Sequence, residues 1–312
     1  MMAVRAICCG MLMLLAAMNE PTAEGAEPAA ILTELRMGQG QVQVKLAAES
    51  QWKTPMPLLS LRAGDQVRAT GNASAVLLWS GGQGTVTVST GNSPYTVAPP
   101  PAKASQAPAL VGTLTGVLMG KKKELAYVPL MTRSVKQPPL LLFPRAGKLL
   151  AAPTFEWGGS DRLRYTVRVL GPQGQVWEQA DLPRVPLAYP AAAPLQAGTQ
   201  YRWELEAKGF PVQRGQFALL SPEQLARVRS DLAVLEPARL PGYPKNTVTL
   251  MRASYLLDEE LYTEARKELQ AAIAADPDEP NLHLLLGHVY ERTGLSELAA
   301  EEFDEAQFLS TR

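Results

Sequence analysis

The sequence is poor in the residues that carry most enzyme chemistry. Its 312 residues include two histidines and two cysteines, and the cysteines are adjacent, Cys8 and Cys9. With none beyond position 9, the rest of the chain has no disulfide, no thiolate metal site and no cysteine nucleophile. His283 and His288 lie about 140° apart around one helix, which is not the i, i+4 pair of a zinc-binding helix. An excess of either charge is also lacking. The 30 Lys+Arg balance 30 Asp+Glu, whereas a nucleic-acid binder shows a basic excess or a basic face. The apolar runs Ala6–Met18 and Ala109–Met119 fall short of the ~20 residues of a comfortable membrane span. There is no Gly-Xaa-Ser-Xaa-Gly elbow, and the glycines from Gly112 to Gly120 have the wrong spacing for a phosphate-binding loop. The acidic clusters Asp258-Glu259-Glu260 and Glu301-Glu302 read as solubilising helix surface. The expectation is a non-enzyme with no catalytic residue, cofactor or metal.

What is present changes along the chain. The 26 prolines and 24 glycines thin out beyond about residue 245, which predicts a β- and turn-rich front and a helical rear. Arg5, the apolar run Ala6–Met18 and the small and polar residues after it have the layout of a secretory signal peptide over 1–25. Cleavage falls after Ala17, Ala23 or Gly25, and the alternative is an uncleaved inner-membrane anchor over 6–18. Cys8 and Cys9 lack the residues that precede a lipidated cysteine. The expected location is periplasmic or secreted, since an exported chain without disulfides suits a bacterial envelope.

Residues 26–98 read as an all-β unit of short strands. Val42 and Val44 alternate with polar neighbours, Ala75–Trp79 is apolar, and Thr85–Val88 alternates again. Gln51-Trp52, then Leu61-Arg62-Ala63-Gly64-Asp65-Gln66-Val67, then the apolar strand and a glycine turn, follow the order of a FecR-type domain, which this region resembles. It departs at Ser80-Gly81-Gly82-Gln83-Gly84, where that family more often has Asp-Gly. The resemblance implies an extracytoplasmic signalling or envelope module, with Gly64-Asp65 as a tight turn. Residues 99–137 read as a Pro/Ala linker, the apolar segment Ala109–Met119 packed on the first unit, and Lys121-Lys122-Lys123 in a solvated loop.

Residues 138–219 form a second β unit. Phe155 and Trp157 share a face, Tyr165–Val169 alternates, and Gly171-Pro172-Gln173-Gly174 is a hairpin turn. Leu195, Gly198 and Tyr201 fit a tyrosine corner, so the unit is similar to a fibronectin type III or Ig-like sandwich with Trp157 and Trp203 in its core.

Residues 220–312 are helical. Ser221-Pro222-Glu223-Gln224 is a helix start, and residues 222–236 are expected to form a capping helix on the repeat beyond them. Ala265, Leu269 and Ala272 recur as Ala299, Phe303 and Ala306, each 34 residues on. That period, with Leu286-Gly287, Tyr290 and Asp276-Pro277, resembles tetratricopeptide (TPR) repeats. The first repeat has Ala253 and Leu256 where Gly and Tyr are usual. The resemblance implies a partner-binding face on the first helix of each pair: Thr247, Leu250, Ser254, Asp258, Asn281, Leu284, His288 and Arg292.

The fold class is thus multidomain, with an all-β front (FecR-like unit plus Ig/fibronectin-like sandwich) and TPR-like hairpins at the rear. The expected function is an exported scaffold binding a protein partner in the cell envelope. The alternatives are a peptidoglycan- or polysaccharide-binding module and a FecR-type regulator. Membrane contact is expected only if the leader stays uncleaved.

Overall fold

The computed structural model describes residues 28–80, 84–99 and 138–311. The leader with Cys8 and Cys9, Gly81-Gly82-Gln83, the apolar segment and the lysine run lie outside the described residues.

The N-terminal region contains β1 (Ala30–Arg36), β2 (Val42–Lys45), β3 (Ser60–Leu61), β4 (Gln66–Ala69), β5 (Ser74–Trp79), β6 (Thr85–Ser89) and β7 (Tyr95–Thr96). They form two sheets, ordered β3-β1-β5-β6 and β2-β4-β7. Side chains alternate along β2 and β4, so Val42, Val44 and Val67 face a core with Leu32, Leu35, Leu77 and Val88. The Gly64-Asp65 turn is pinned by a buried carboxylate: Asp65 accepts from Ala47 N at 2.8 Å and Arg62 N at 2.7 Å.

β1 differs from its neighbours. Six of its seven residues, Thr33 and Glu34 included, are buried. Its register with β5 shifts between Leu32 and Glu34. Such a bulge adds one residue and re-aims side chains. Leu32 and Leu35 face the sheet core, while Thr33 and Glu34 both reach the helices.

The middle region has β8 (Leu140–Phe143), β9 (Lys148–Leu149), β10 (Thr154–Gly158), β11 (Tyr165–Gly171), β12 (Gly174–Leu182), β13 (Leu187–Ala188), β14 (Gln200–Ala207) and β15 (Gln213–Leu219). One sheet runs β13-β10-β8 and the other β12-β11-β14-β15-β9, with β9 parallel to β15. Both contribute to a core of Phe155, Trp157, Tyr165, Val167, Trp203 and Phe217. The rings of Phe155 and Trp203 lie 4.7 Å apart, a spacing that adds to their area burial. Gln196 N donates to the Tyr201 hydroxyl at 2.8 Å, tying the turn before β14 to that strand.

The helical region holds five helices: α1 (Pro222–Val234), α2 (Lys245–Asp258), α3 (Tyr262–Ala275), α4 (Pro280–Arg292) and α5 (Ser296–Thr311). A capping box between Ser221 and Gln224 starts α1. That helix rests on α2 through Val228, Asp231 bonded to the Tyr255 hydroxyl, and the Leu232 carbonyl bonded to Arg252. The 34-residue offset reappears in the backbone: Leu261 N donates to Leu256 O as Leu295 N donates to Tyr290 O. In the same turns Glu260 (φ 62°) and Gly294 (φ 73°) are left-handed. The helix pair α4/α5 closes on Gly287, where a Cβ would stand 2.5 Å from Phe303 Cδ1.

The three regions are not independent. Ile31, Leu58 and Leu78 from the first, and Phe143 from the second, belong to the helical core with Leu250, Met251, Leu282 and Leu285. No helix among the described residues is long and apolar enough to cross a membrane.

Candidate functional site

The face formed by the first helices of the two pairs, α2 and α4, is covered by the chain's own β1. On the side away from β5, β3 pairs with Ala30 and Ile31, and the Leu59 carbonyl takes the Leu32 N–H. From Thr33 onward β1 has a strand on one side only. Helix side chains occupy the remaining edge. Glu279, at the start of α4, accepts from Leu35 N at 3.1 and 3.3 Å with its two carboxylate oxygens. Thr247 N and Oγ1 both donate to Glu34 Oε1 at 3.1 Å, and the Thr33 and Thr247 hydroxyls lie 3.0 Å apart. Arg36 forks onto Asp276, with Nη1 to Oδ1 at 2.7 Å, and Asn246 Nδ2 donates to Oδ2 of the same carboxylate at 2.5 Å. A little further on, Leu58 N donates to Asn281 Oδ1 at 2.5 Å while Asn281 Nδ2 donates to Glu279.

These contacts make an electrostatically loaded seam. Three carboxylates, Glu34, Asp276 and Glu279, meet around the Arg36 guanidinium. Burial pushes Glu279 up to about 8; the nearby Glu34 adds to the rise, against the Asn281 and Leu35 amides and Arg36. Burial likewise raises Glu34, against the bonds from Thr247. Hydrogen bonding from Arg36 holds Asp276 below the usual carboxylate range. A pocket of about 370 Å³, lined by Glu34, Arg36, Lys245, Asn246, Ala275 and Asp276, opens the Arg36–Asp276 side of this cluster to water, while Glu279 stays fully buried.

The expected partner-binding residues divide across this geometry. Thr247, Leu250, Ser254 and Asn281 are fully buried. Thr247 bonds the chain's own β1 and Asn281 its own Leu58, so these four do not line an open groove. Leu284 and His288 are half-buried, and Asp258 and Arg292 are exposed. Sequence reasoning missed β1, Asp276, Glu279 and Asn246 as site residues. Their signal was weak: Thr33-Glu34 interrupts an apolar run, and Glu279 precedes the Pro280 that opens α4.

A second seam joins the middle region to the helices. Arg266 on α3 is buried, with its guanidinium 4.0 Å from the Phe143 ring centre and paired with Glu156 at 2.5 Å. Lys148 N donates to Glu260 O at 2.8 Å, and Leu150 N to Glu264 Oε1 at 3.3 Å. Between α4 and α5, His283 places Nδ1 2.7 Å from Glu302 and Nε2 3.0 Å from the Pro277 carbonyl. Burial opposes its charge, but these two acceptors favour the doubly protonated ring and raise it overall. Among the described residues no group of three or more His, Cys, Asp or Glu is placed to hold a metal ion.

Comparison with known proteins bears on the helices. Residues 250–311 match the tetratricopeptide repeat family, so the chain carries such a repeat there. No curated protein matches the chain. Among solved structures, a multi-domain immunophilin from Arabidopsis thaliana is 12% identical over 58% of this chain and 100% of its own, with a TM-score of 0.20. That likeness is too slight to bear on the fold.

Proposed function

We propose that this protein is an exported, non-enzymatic scaffold of the bacterial cell envelope that binds a protein partner. The observation that carries the reading is the seam itself. The repeat face already binds an extended polypeptide through a backbone-directed bond, Leu35 N to Glu279, and it holds the turn before β3 by another, Leu58 N to Asn281. Tetratricopeptide helices generally mediate protein–protein contact by such faces. In this reading the perturbed carboxylates hold the seam and serve no reaction. The first β unit is FecR-like, as its Gly64-Asp65 turn suggests. The middle unit is fibronectin- or Ig-like, a reading that the strand order and the Tyr201 bond support.

The test uses the full chain. Fractionation and N-terminal sequencing of the expressed protein should find it in the periplasm with the leader removed. Immobilised on beads, it should retain a defined protein from envelope extract and fail to sediment with insoluble peptidoglycan. Sedimentation with peptidoglycan and no retained protein would favour the wall-binding alternative.

A further inference from the structure

We propose that the Thr33–Arg36 half of β1 is a releasable occupant of the repeat face: the helices recognise an exposed strand edge, the chain fills that site in cis, and rising pH loosens it. This rests on the scaffold reading and adds to it the site's occupant and its regulation.

Recognition is set by geometry. A sheet edge presents unpaired N–H and C=O groups that a neighbouring strand would satisfy. On β1 that neighbour ends at Leu32, and the Glu279 carboxylate takes the Leu35 N–H in its place. Thr247 and Asn281 meet two further points of the same region, Glu34 and the Leu58 N–H. The face therefore fits an extended segment with a free edge and a Thr-Glu-Xaa-Arg pattern.

Release is set by where the charges sit. Glu34 comes from β1, whereas Glu279 and Asp276 come from the helical side, so ionising all three sets like charges against each other across the seam. The charged groups facing Glu279 are Glu34 and Arg36 from β1. Arg36 forks onto Asp276, at the end of α3, and reaches Glu279 only at 4.0 Å. From α2 come the uncharged Asn246 and Thr247, and Lys245 at the pocket rim. Asp278 lies exposed in the α3–α4 turn.

The direction of each shift fixes the sign of the pH effect. Glu279 sits at about 8 when docked, against an ordinary carboxylate value of 4.5 when released. Between those values docking takes up a proton, so the seam is strongest below 4.5, weakens as pH rises and changes little above 8. Glu34 is raised too and acts in the same sense. Asp276 is lowered, so its contribution is lost only in acid, below its ordinary 3.8. His283 on α4 is also raised, but its partners lie toward α5 and the Pro277 carbonyl, so the readout must be on β1 amides.

Hydrogen–deuterium exchange on the full-length chain tests this, with rates converted to protection factors at about pH 5 and about pH 9. Protection of Thr33–Arg36 and of the first turns of α2 and α4 should fall about 10-fold or more at the higher pH, within the ceiling of about tenfold for each pH unit that uptake of one proton allows. Glu279→Gln, which keeps an acceptor for Leu35 N, should show a clearly smaller fall, the remainder coming from Glu34. Arg36→Gln should lower protection at both values, and it keeps the test decisive if Glu279→Gln folds poorly. A Thr33→Cys/Thr247→Cys pair in a Cys8→Ser/Cys9→Ser background, once oxidised, should hold protection high at both values. Equal protection of the wild type at both values, a pH effect as large in Glu279→Gln as in the wild type, or lost protection in the oxidised pair would overturn the proposal. None of these readouts needs an external partner, so the scaffold reading stands or falls separately.

Discussion

At Gly287 the missing side chain is a packing device. A methyl group there would meet the Phe303 ring at 2.5 Å, well inside contact distance. Gly287→Ala should therefore destabilise the chain by about 1–2 kcal/mol, the cost of overpacking less the gain in helix propensity. Urea unfolding followed by far-UV circular dichroism reads this, and Phe303→Leu in the same chain should recover part of the loss. Glu260 is the opposite case. It holds φ 62° where its counterpart one repeat later is Gly294, also left-handed. Glu260→Gly should be neutral or stabilising by up to about 1 kcal/mol, because relief of left-handed strain offsets glycine's extra entropy. The Lys148 pair lost with it is half exposed and contributes little. Gly294→Glu should lose stability in the same assay. Gly287 was legible in the sequence because the 34-residue period gives it a role. Glu260 was not, since a glutamate looks like ordinary helix surface until the two turns are laid over each other.

Among the elements, β1 escaped the sequence reading for a physical reason. A strand packed on both faces shows no alternation, and the bulge at Thr33-Glu34 breaks whatever period remains. The strands with one wet face, such as β2 and β4, were readable because water imposes the alternation. The helices were readable from their caps and period. The contact of α3 with β8 and β10 was not, because Arg266 is an isolated basic residue whose partners Glu156 and Phe143 are remote in sequence. Arg266→Ala should cost about 2–4 kcal/mol by stripping a largely buried ion pair and the packing of its stem. Arg266→Met, which keeps most of the volume, should cost less. In a double-mutant cycle with Glu156→Gln the two losses should be non-additive; additive losses in thermal melts would show that the pair is not coupled.

Over the whole molecule, the regions differ in what each can hold by itself. The middle region has its own core of Phe155, Trp157, Tyr165, Trp203 and Phe217. The helical core instead includes Ile31, Leu58 and Leu78 from the N-terminal sheets. Two helical pairs bury little unaided, since a repeat normally relies on stacked neighbours. Here β1 and its sheet stand where further repeats would. Local patterns could not show this, because residues that meet, such as Thr33 with Thr247 and Leu58 with Asn281, are 214 and 223 positions apart. The consequence is an asymmetric order of unfolding. In the wild type, far-UV and near-UV signals should melt together, as expected when the helical core takes side chains from both β regions. Ile31→Asp puts an unpaired charge into the shared core, which costs several kcal/mol, a large part of a stability of about 5–15 kcal/mol. The helical far-UV signal should then melt first, while the near-UV signal of Trp157 and Trp203 persists to higher temperature. If the helices melt at the wild-type temperature in Ile31→Asp, the N-terminal sheets are not part of what holds them.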